Sequence, residues 1–237
     1  MNIFDKEIMA KEQSNSYQGV MDHYDDLLTG RKWWSRIYWR LIWNEDANLL
    51  AQKVLDFIPD DFQGRLLDVP VGTAVFTAEK YRRMKGAEIV GLDYSDEMIA
   101  IAALRKETEG IANLSLRQGD VGDLPYPNES FDCILSMNGF QAFPDKEKAF
   151  AEIFRVLKPG GFFCGCFYVK GERRSADFFV KKVMERKGFF RPPYDTFAEA
   201  ESRLRGMYGD DVLTERMAPA CLFRCVKPQR EDADKES

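Results

Sequence analysis

Residues 66–77 read Leu-Leu-Asp-Val-Pro-Val-Gly-Thr-Ala-Val-Phe-Thr. An apolar run ends on an acid, a short loop with one glycine follows, and helical text opens at Thr77. The reading is strand, loop, helix: a strand over residues 65–69 and a helix over 77–84. The same beat repeats on the C-terminal side. Residues 88–93 (EIVGLD) form a strand, and Ser95 is a helix N-cap followed by Met98, Ile99, Ala102 and Ala103 at helical spacing. Strands follow at 114–117 and 131–136 (FDCILS). Asp145 caps a helix with Ala149, Phe150, Ile153, Phe154 and Leu157 on one face, read as stopped by Pro159-Gly160-Gly161, and residues 162–169 form a fifth strand. Strands that alternate with helices and carry continuous apolar runs imply a parallel sheet covered on both faces.

The last third breaks this rhythm. A helix is expected over residues 176–187 and a loop over 189–193, and Thr196-x-x-Glu199 is a capping box opening another helix. Residues 212–217 and 220–227 then read as two strands joined at Pro219, an antiparallel pair at the sheet edge. The expected fold is α/β: a doubly wound, mostly parallel seven-stranded sheet with an antiparallel edge strand and an N-terminal helical cap. The cap spans 1–60 and the main domain 61–237, within one compact unit. All four tryptophans, Trp33, Trp34, Trp39 and Trp43, fall in the cap, too apolar all round for an ordinary surface helix. Two readings stand side by side: a helix packed onto the domain, and a mobile aromatic lid over a hydrophobic substrate.

The totals agree with a soluble globular protein. The 237 residues carry 34 basic and 39 acidic side chains, a formal charge of −5, with 45% apolar and 31% charged residues. The longest apolar stretch, residues 162–169, is far short of the roughly 20 needed to span a bilayer. The N-terminal text MNIFDKEIMAKEQ has early acids and no apolar core, unlike a secretory signal. These features point to the cytoplasm. Five cysteines in strand-like text read as buried reduced thiols rather than a zinc site or a disulfide framework, so no metal is expected. A mildly acidic chain does not attract phosphate backbones, so no nucleic-acid partner is expected. The tail from residue 227, KPQREDADKES, reads as charged and frayed.

In an open α/β sheet the ligand lies beyond the carboxyl ends of the strands, where strand order reverses. Two of those ends carry acids, Asp68 and Asp93. A carboxylate at the second strand end can accept from both vicinal hydroxyls of a ribose. A nicotinamide dinucleotide needs GxGxxG to cradle its pyrophosphate. Residues 70–75 read P-V-G-T-A-V, with one glycine left and no N–H on Pro70. Asp68 would also repel a diphosphate. The acids suit a nucleoside cofactor carrying an ammonium and a sulfonium and no phosphate, as S-adenosyl-L-methionine does.

Residues 64–170 resemble the class I S-adenosylmethionine-dependent methyltransferases, a Rossmann-like family, and in particular the branch of the menaquinone/ubiquinone C-methyltransferases. Four stretches in order carry the resemblance: LLDVPVGTAVFT (66–77), GLDYSDEMIAIA (91–102), QGDVGDLPYPNESFDCILSMNGF (118–140) and FRVLKPGG (154–161). The resemblance implies that the loop Asp68, Val69, Pro70, Gly72, Thr73 wraps the methionine part of the cofactor, with Thr77 contacting it. It implies that Asp93 binds the ribose and that Tyr94 and Met98 pack on the adenine. Asp120 then accepts from the adenine amino group, Val121 offers a backbone N–H to the ring, Gly119 belongs to the same cofactor-binding set, and Met137 and Asn138 lie near the sulfonium. This chain departs from the family's acid-x-Gly-x-Gly-x-Gly pattern at Pro70 and Ala74. The loop must then tolerate both residues, or cofactor affinity falls.

Methyl transfer from a sulfonium needs alignment and exclusion of water more than acid–base chemistry. His23, the sole histidine, Tyr24 and Tyr168 are candidate bases, and none is assigned a catalytic role. Aromatic text in the cap and at Phe178, Phe179, Phe189, Phe190 and Tyr194 implies a small, apolar or aromatic acceptor. Arg173, Arg174 and Arg191 either meet a substrate carboxylate or form a solvated face. Two further function classes compete: a catalytically silent partner or scaffold with this fold, and an RNA or protein methyltransferase. The Ser-Met-Asn-Gly text at 136–139 lacks the Asn/Asp-Pro-Pro-aromatic pattern of many base-methylating enzymes.

Overall fold

A computed structural model describes residues 47–229. Its sheet is built from β1 (Gly64–Asp68), β2 (Ala87–Asp93), β3 (Leu114–Gln118), β4 (Phe131–Met137), β5 (Leu157–Tyr168), β6 (Val212–Met217) and β7 (Ala220–Val226), in the spatial order β3-β2-β1-β4-β5-β7-β6. The first five are parallel neighbours. β7 then runs antiparallel to β5, and β6 antiparallel to β7 at the edge. The helices are α1 (Ala47–Leu55), α2 (Ala78–Arg83), α3 (Asp96–Glu109), α4 (Lys146–Val156), α5 (Arg174–Phe179) and α6 (Phe197–Tyr208).

The continuous apolar runs resolve into two cores, because successive strand residues point to opposite faces. Leu66, Ile89, Leu135, Cys164 and Leu222 pack with Val54, Tyr81 and Met84 from the α1 and α2 side. Leu67, Val90, Ile134, Phe163 and Phe223 pack with Phe150, Ile153, Leu204 and Tyr208 from the α4 and α6 side. Each face of the sheet is thus roofed by helices, the arrangement that makes one-residue alternation unnecessary in the sequence. All five cysteines are free and buried within these strands.

The helix starts follow from local chemistry. Ser95 holds an extended backbone and its hydroxyl accepts from the Met98 amide at 3.3 Å, while Asp96 and Glu97 meet the positive end of α3. Gly110 ends α3 in the left-handed region, φ 67°. Asp145 accepts from the Lys148 amide at 3.0 Å. At α6 both halves of the capping box form: Glu199 N–H donates to the Thr196 hydroxyl, and Thr196 N–H to the Glu199 carboxylate.

Three local expectations need correction. α4 ends at Val156, and Pro159-Gly160-Gly161 lies inside β5 instead of stopping the helix. The partner of the helix end is distant in sequence. Lys227 Nζ donates to the carbonyls of Phe154 and Leu157 at 2.7 Å each, so it caps the end of α4 as a cation should. Its backbone also exchanges hydrogen bonds with Gly160 and Gly161, and a register irregularity between Phe131 and Cys133 absorbs the extra residues. Lys227, read as the start of a frayed tail, is therefore buried. The helix expected over 176–187 divides into α5 and a π-helical turn, Val180–Met184. Of the proposed N-terminal cap, α1 and Ile58 pack into the sheet's core. The tryptophans, His23 and Tyr24 lie outside the described residues.

Candidate cofactor-binding site

β1 and β4 are sheet neighbours, but β1 leads on to β2 on one side and β4 to β5 on the other. The loops after β1 and β4 therefore leave in opposite directions and open a crevice at this switch point. The site is built from the two loops and the tips of β2 and β3.

The β1 loop is fastened on both sides. Val69 N–H still pairs with the Leu135 carbonyl of β4, and two residues later Val71 N–H reaches the Leu92 carbonyl of β2, both at 2.9 Å. The Val69–Pro70 peptide is cis. Gly72 (φ 54°) and Ala74 (φ 56°) are left-handed. The Gly72 N–H donates to Asp93 Oδ2 at 2.9 Å. The Ala74 methyl is buried with Val71 and Ala102, which offsets part of the strain of that backbone in a residue with a Cβ. The loop thus accommodates both departures from the glycine pattern. From the far side, the buried Arg105 of α3 donates through Nε to the Thr73 carbonyl at 2.7 Å and through Nη1 to Glu109 at 3.2 Å.

Arg105 carries a prediction. Arg105→Leu leaves the Thr73 carbonyl unpaired and should lower unfolding free energy by about 1–3 kcal/mol in denaturant melts. It should also weaken any ligand held by the loop. A variant as stable as the parent would show that the clamp contributes nothing.

Asp93 lies at the β2 tip with both carboxylate oxygens engaged: Oδ1 accepts from Ser95 N–H and Oδ2 from Gly72 N–H, each at 2.9 Å. Burial raises its pKa, opposed by these amides. Each oxygen retains a second lone pair for an incoming hydroxyl. Asp68 behaves differently. It is 1% exposed, and its Oδ2 accepts from the Tyr81 hydroxyl of α2 at 2.7 Å. Burial pushes its pKa up to about 7, opposed by the Tyr81 bond and reinforced by the nearby Asp93 charge. Asp68 is a buried acid behind the loop and not part of its rim.

Gly119 N–H donates to the Asp93 carbonyl at 2.9 Å, joining the β2 and β3 tips. Asp120 is exposed, with Oδ1 accepting from Gly122 N–H at 2.8 Å, and Val121 is buried in the core. Tyr94 is 76% exposed and Met98 is half-buried. Across the crevice, Met137 is half-buried and Asn138 is exposed with φ 56°. Gly139 is where the two loops meet: a Cβ there would stand 2.4 Å from Pro70 Cδ and 2.6 Å from Phe143 Cζ. Thr77, the residue before α2, is buried, its hydroxyl donating to the Ala74 carbonyl at 3.5 Å.

Two buried hydroxyls in this neighbourhood, Thr73 Oγ1 in the loop and Ser136 Oγ near the β4 tip, have no hydrogen-bond partner. Buried polar atoms are rarely left so, and each asks for a ligand or water. The residues fit an adenosyl sulfonium: a half-satisfied acid at the β2 tip and a loop with left-handed backbone, with no glycine-rich phosphate cradle among the described residues.

Beyond the β4 tip, Gln141 is buried; its amide donates to Asn138 Oδ1 at 3.4 Å and accepts from Tyr168 N–H at 3.3 Å. It tethers the crevice to the end of β5, where Phe140, Phe150, Phe167 and Tyr194 with Lys146 and Asp195 line a small recess. The Tyr168 hydroxyl donates to Asp177 Oδ1 at 2.6 Å. Burial, then Asp177, push its ionisation up, so it is a donor and not a base. Phe179, Phe190 and Tyr194 pack around Tyr168, whereas Phe178 and Phe189 are exposed. Arg105, Tyr81 and Gln141 escaped the sequence reading. The one available signal was Arg105 at a core helical position, four residues before an acid.

A family model described as Methyltransferase domain matches residues 67–165. Among curated proteins, the chain is 36% identical over 110 residues to a demethylmenaquinone methyltransferase of Thermus thermophilus, covering 46% of this chain and 50% of that protein. It is 41% identical over 99 residues to one of Deinococcus radiodurans, covering 41% of this chain and 40% of that protein. The match thus spans half or less of the length of these relatives. Among solved structures, phosphoethanolamine N-methyltransferase 2 of Haemonchus contortus, in complex with phosphomonomethylethanolamine and S-adenosylhomocysteine, superposes with TM-score 0.65 at 21% identity, covering 76% of this chain and 52% of that one. That likeness is one of fold. Strand order, switch-point crevice and matched segment coincide: the segment that matches the methyltransferase-domain model is the one that builds β1 to β5 and the loops around the crevice.

Proposed function

We propose that the protein transfers a methyl group from S-adenosylmethionine to a small apolar or aromatic acceptor, with residues 61–237 as the methyltransferase unit and 1–60 as its cap. The observation that carries this reading is the crevice itself: Asp93 at the β2 tip faces a loop closed by Gly72 and Arg105, within the segment matched to the family. The cofactor supplies an activated methyl on a sulfonium whose leaving group is neutral. The chain's residues orient and shield. Asp93 accepts from the ribose hydroxyls, and Gly72, Thr73 and the neighbouring backbone enclose the methionine part. Met98 and Tyr94 cover one side of the adenine, while Gly119, Asp120 and Val121 meet its edge. Asn138 and Met137 border the reacting methyl.

The acceptor proposal rests on different residues. The recess at Phe140, Phe150, Phe167 and Tyr194, tethered to the β4 tip through Gln141, is about 10 Å³, room for one water, so its rings form an aromatic wall beside the acceptor position rather than a chamber for it. From Phe167 onward its lining lies outside the matched segment, so the quinone named for the relatives is the first acceptor to try and not an inheritance. Free buried cysteines suit a reducing compartment, in keeping with a cytoplasmic enzyme. No described helix is long and apolar enough to cross a membrane.

Titration calorimetry with S-adenosylmethionine, followed by transfer of a labelled methyl to reduced demethylmenaquinone-type acceptors, tests the reading. Saturable binding with Kd between about 1 μM and 1 mM, in the ordinary range for enzyme substrates, is expected. No heat and no thermal shift at millimolar cofactor would replace it with a silent scaffold.

A further inference from the structure

Residues 173–191 hold seven basic side chains and two acidic ones, a local charge of +5 in a chain whose total is −5. Both acids are turned inward. Asp177 accepts from the Tyr168 hydroxyl and from Gly171 N–H, and Glu185 is half-buried beside the Tyr194 phenol, whose ionisation it helps burial to raise. α5 and the following π-helical turn bury Ala176 and Val180 against Tyr168, so the opposite face looks outward. On that face Phe178 is 67% exposed. Arg174 four residues before it, and Lys181 and Lys182 three and four residues after, are exposed beside it. None of these three cations makes an ion pair with a described residue. Farther along, Phe189 is 53% exposed.

Among the described residues this is an exposed ring amid cations without ion pairs and with no carboxylate on the same face, and its match is a surface that is both anionic and apolar beneath. We propose that the outward face of residues 174–189 docks the protein on an anionic phospholipid bilayer. Lys181, Lys182 and Arg174 would meet lipid phosphates while the Phe178 and Phe189 rings enter the boundary between headgroups and acyl chains. A nucleic acid offers phosphates without an apolar phase for two protruding rings. The face lies over the end of β5, so an apolar acceptor dissolved in the bilayer would be delivered close to the recess. This last clause alone rests on the proposed acceptor; docking does not.

The test is sedimentation of the full-length chain with phosphatidylcholine vesicles, with and without about one-third phosphatidylglycerol, no cofactor added. Pelleting only with anionic vesicles, reversed by high salt, is expected. Lys181→Glu with Lys182→Glu should lower the partition on the order of ten-fold or more, and Phe178→Ser with Phe189→Ser by roughly ten-fold. Thermal melts should stay unchanged for these exposed positions. A chain that stays in the supernatant with both vesicles, variants that pellet like the parent, or a salt-sensitive RNA complex at this face without vesicle binding would each overturn the proposal. Since no cofactor is present, its failure would leave the methyltransferase reading standing.

Discussion

Asp93→Ala is expected to abolish S-adenosylmethionine binding, with affinity falling by at least a hundred-fold on the order of two lost charge-assisted hydrogen bonds. The same change orphans two backbone donors, because the carboxylate also receives Gly72 N–H and Ser95 N–H. Unfolding free energy should therefore drop by about 1–3 kcal/mol as well. Asp93→Asn separates the two effects. Its amide oxygen can still accept from one of the two amides, so stability should partly recover. The ribose contact, which needs two acceptors on one group, should not. Calorimetry and denaturant melts on both variants read the two quantities independently, and unchanged affinity in Asp93→Ala would remove the ribose assignment.

The second large effect is on pH dependence. Folded Asp68 holds its proton up to about pH 7, whereas in the unfolded chain it ionises near 3.8. Between these values the native state binds the extra proton, so this group's contribution makes stability fall as pH rises from about 4 to 7 and level off above. Asp68→Asn keeps an acceptor for the Tyr81 hydroxyl and removes the titration. Relative to the parent, the variant should gain about 4 kcal/mol of stability between pH 4 and pH values above 7. Melts across this range check it. Parallel curves for the two proteins would mean that Asp68 ionises normally and that its burial against Tyr81 is incidental.

These two acids show what was legible in the chain. Both end apolar runs at strand tips, which the alternation of strands and helices makes plain, but only Asp93 faces the crevice. The N-caps at Ser95 and Asp145 and the box at Thr196 and Glu199 were equally plain, since each rests on contacts within a few residues. What separates Asp68 from Asp93 was not visible. Asp68 turns to Tyr81, thirteen residues on, and Asp93 to the loop at Gly72, twenty-one residues back. Both choices depend on how α2 and the β1 loop pack, which periodicity does not encode. The early end of α4 has the same origin. Pro159-Gly160-Gly161 reads as a helix stop but lies in β5, and the carbonyls at the helix end are met by Lys227, seventy residues away in sequence at its Leu157 contact. Arg105 was hidden for the converse reason: an arginine in a helix reads as surface unless the carbonyl it clamps is known. Ala74 looked like a defect in a glycine loop and is instead a left-handed residue whose methyl is buried.

The central claim is that the crevice between the β1 and β4 loops receives an adenosyl sulfonium with its ribose on Asp93. A crystal structure with S-adenosylhomocysteine tests it most directly. Both ribose hydroxyls should lie within hydrogen-bond distance of the Asp93 carboxylate, with the amino-acid end under the loop at Gly72 and Thr73. A ligand bound elsewhere, or a ribose turned away from Asp93, would contradict it.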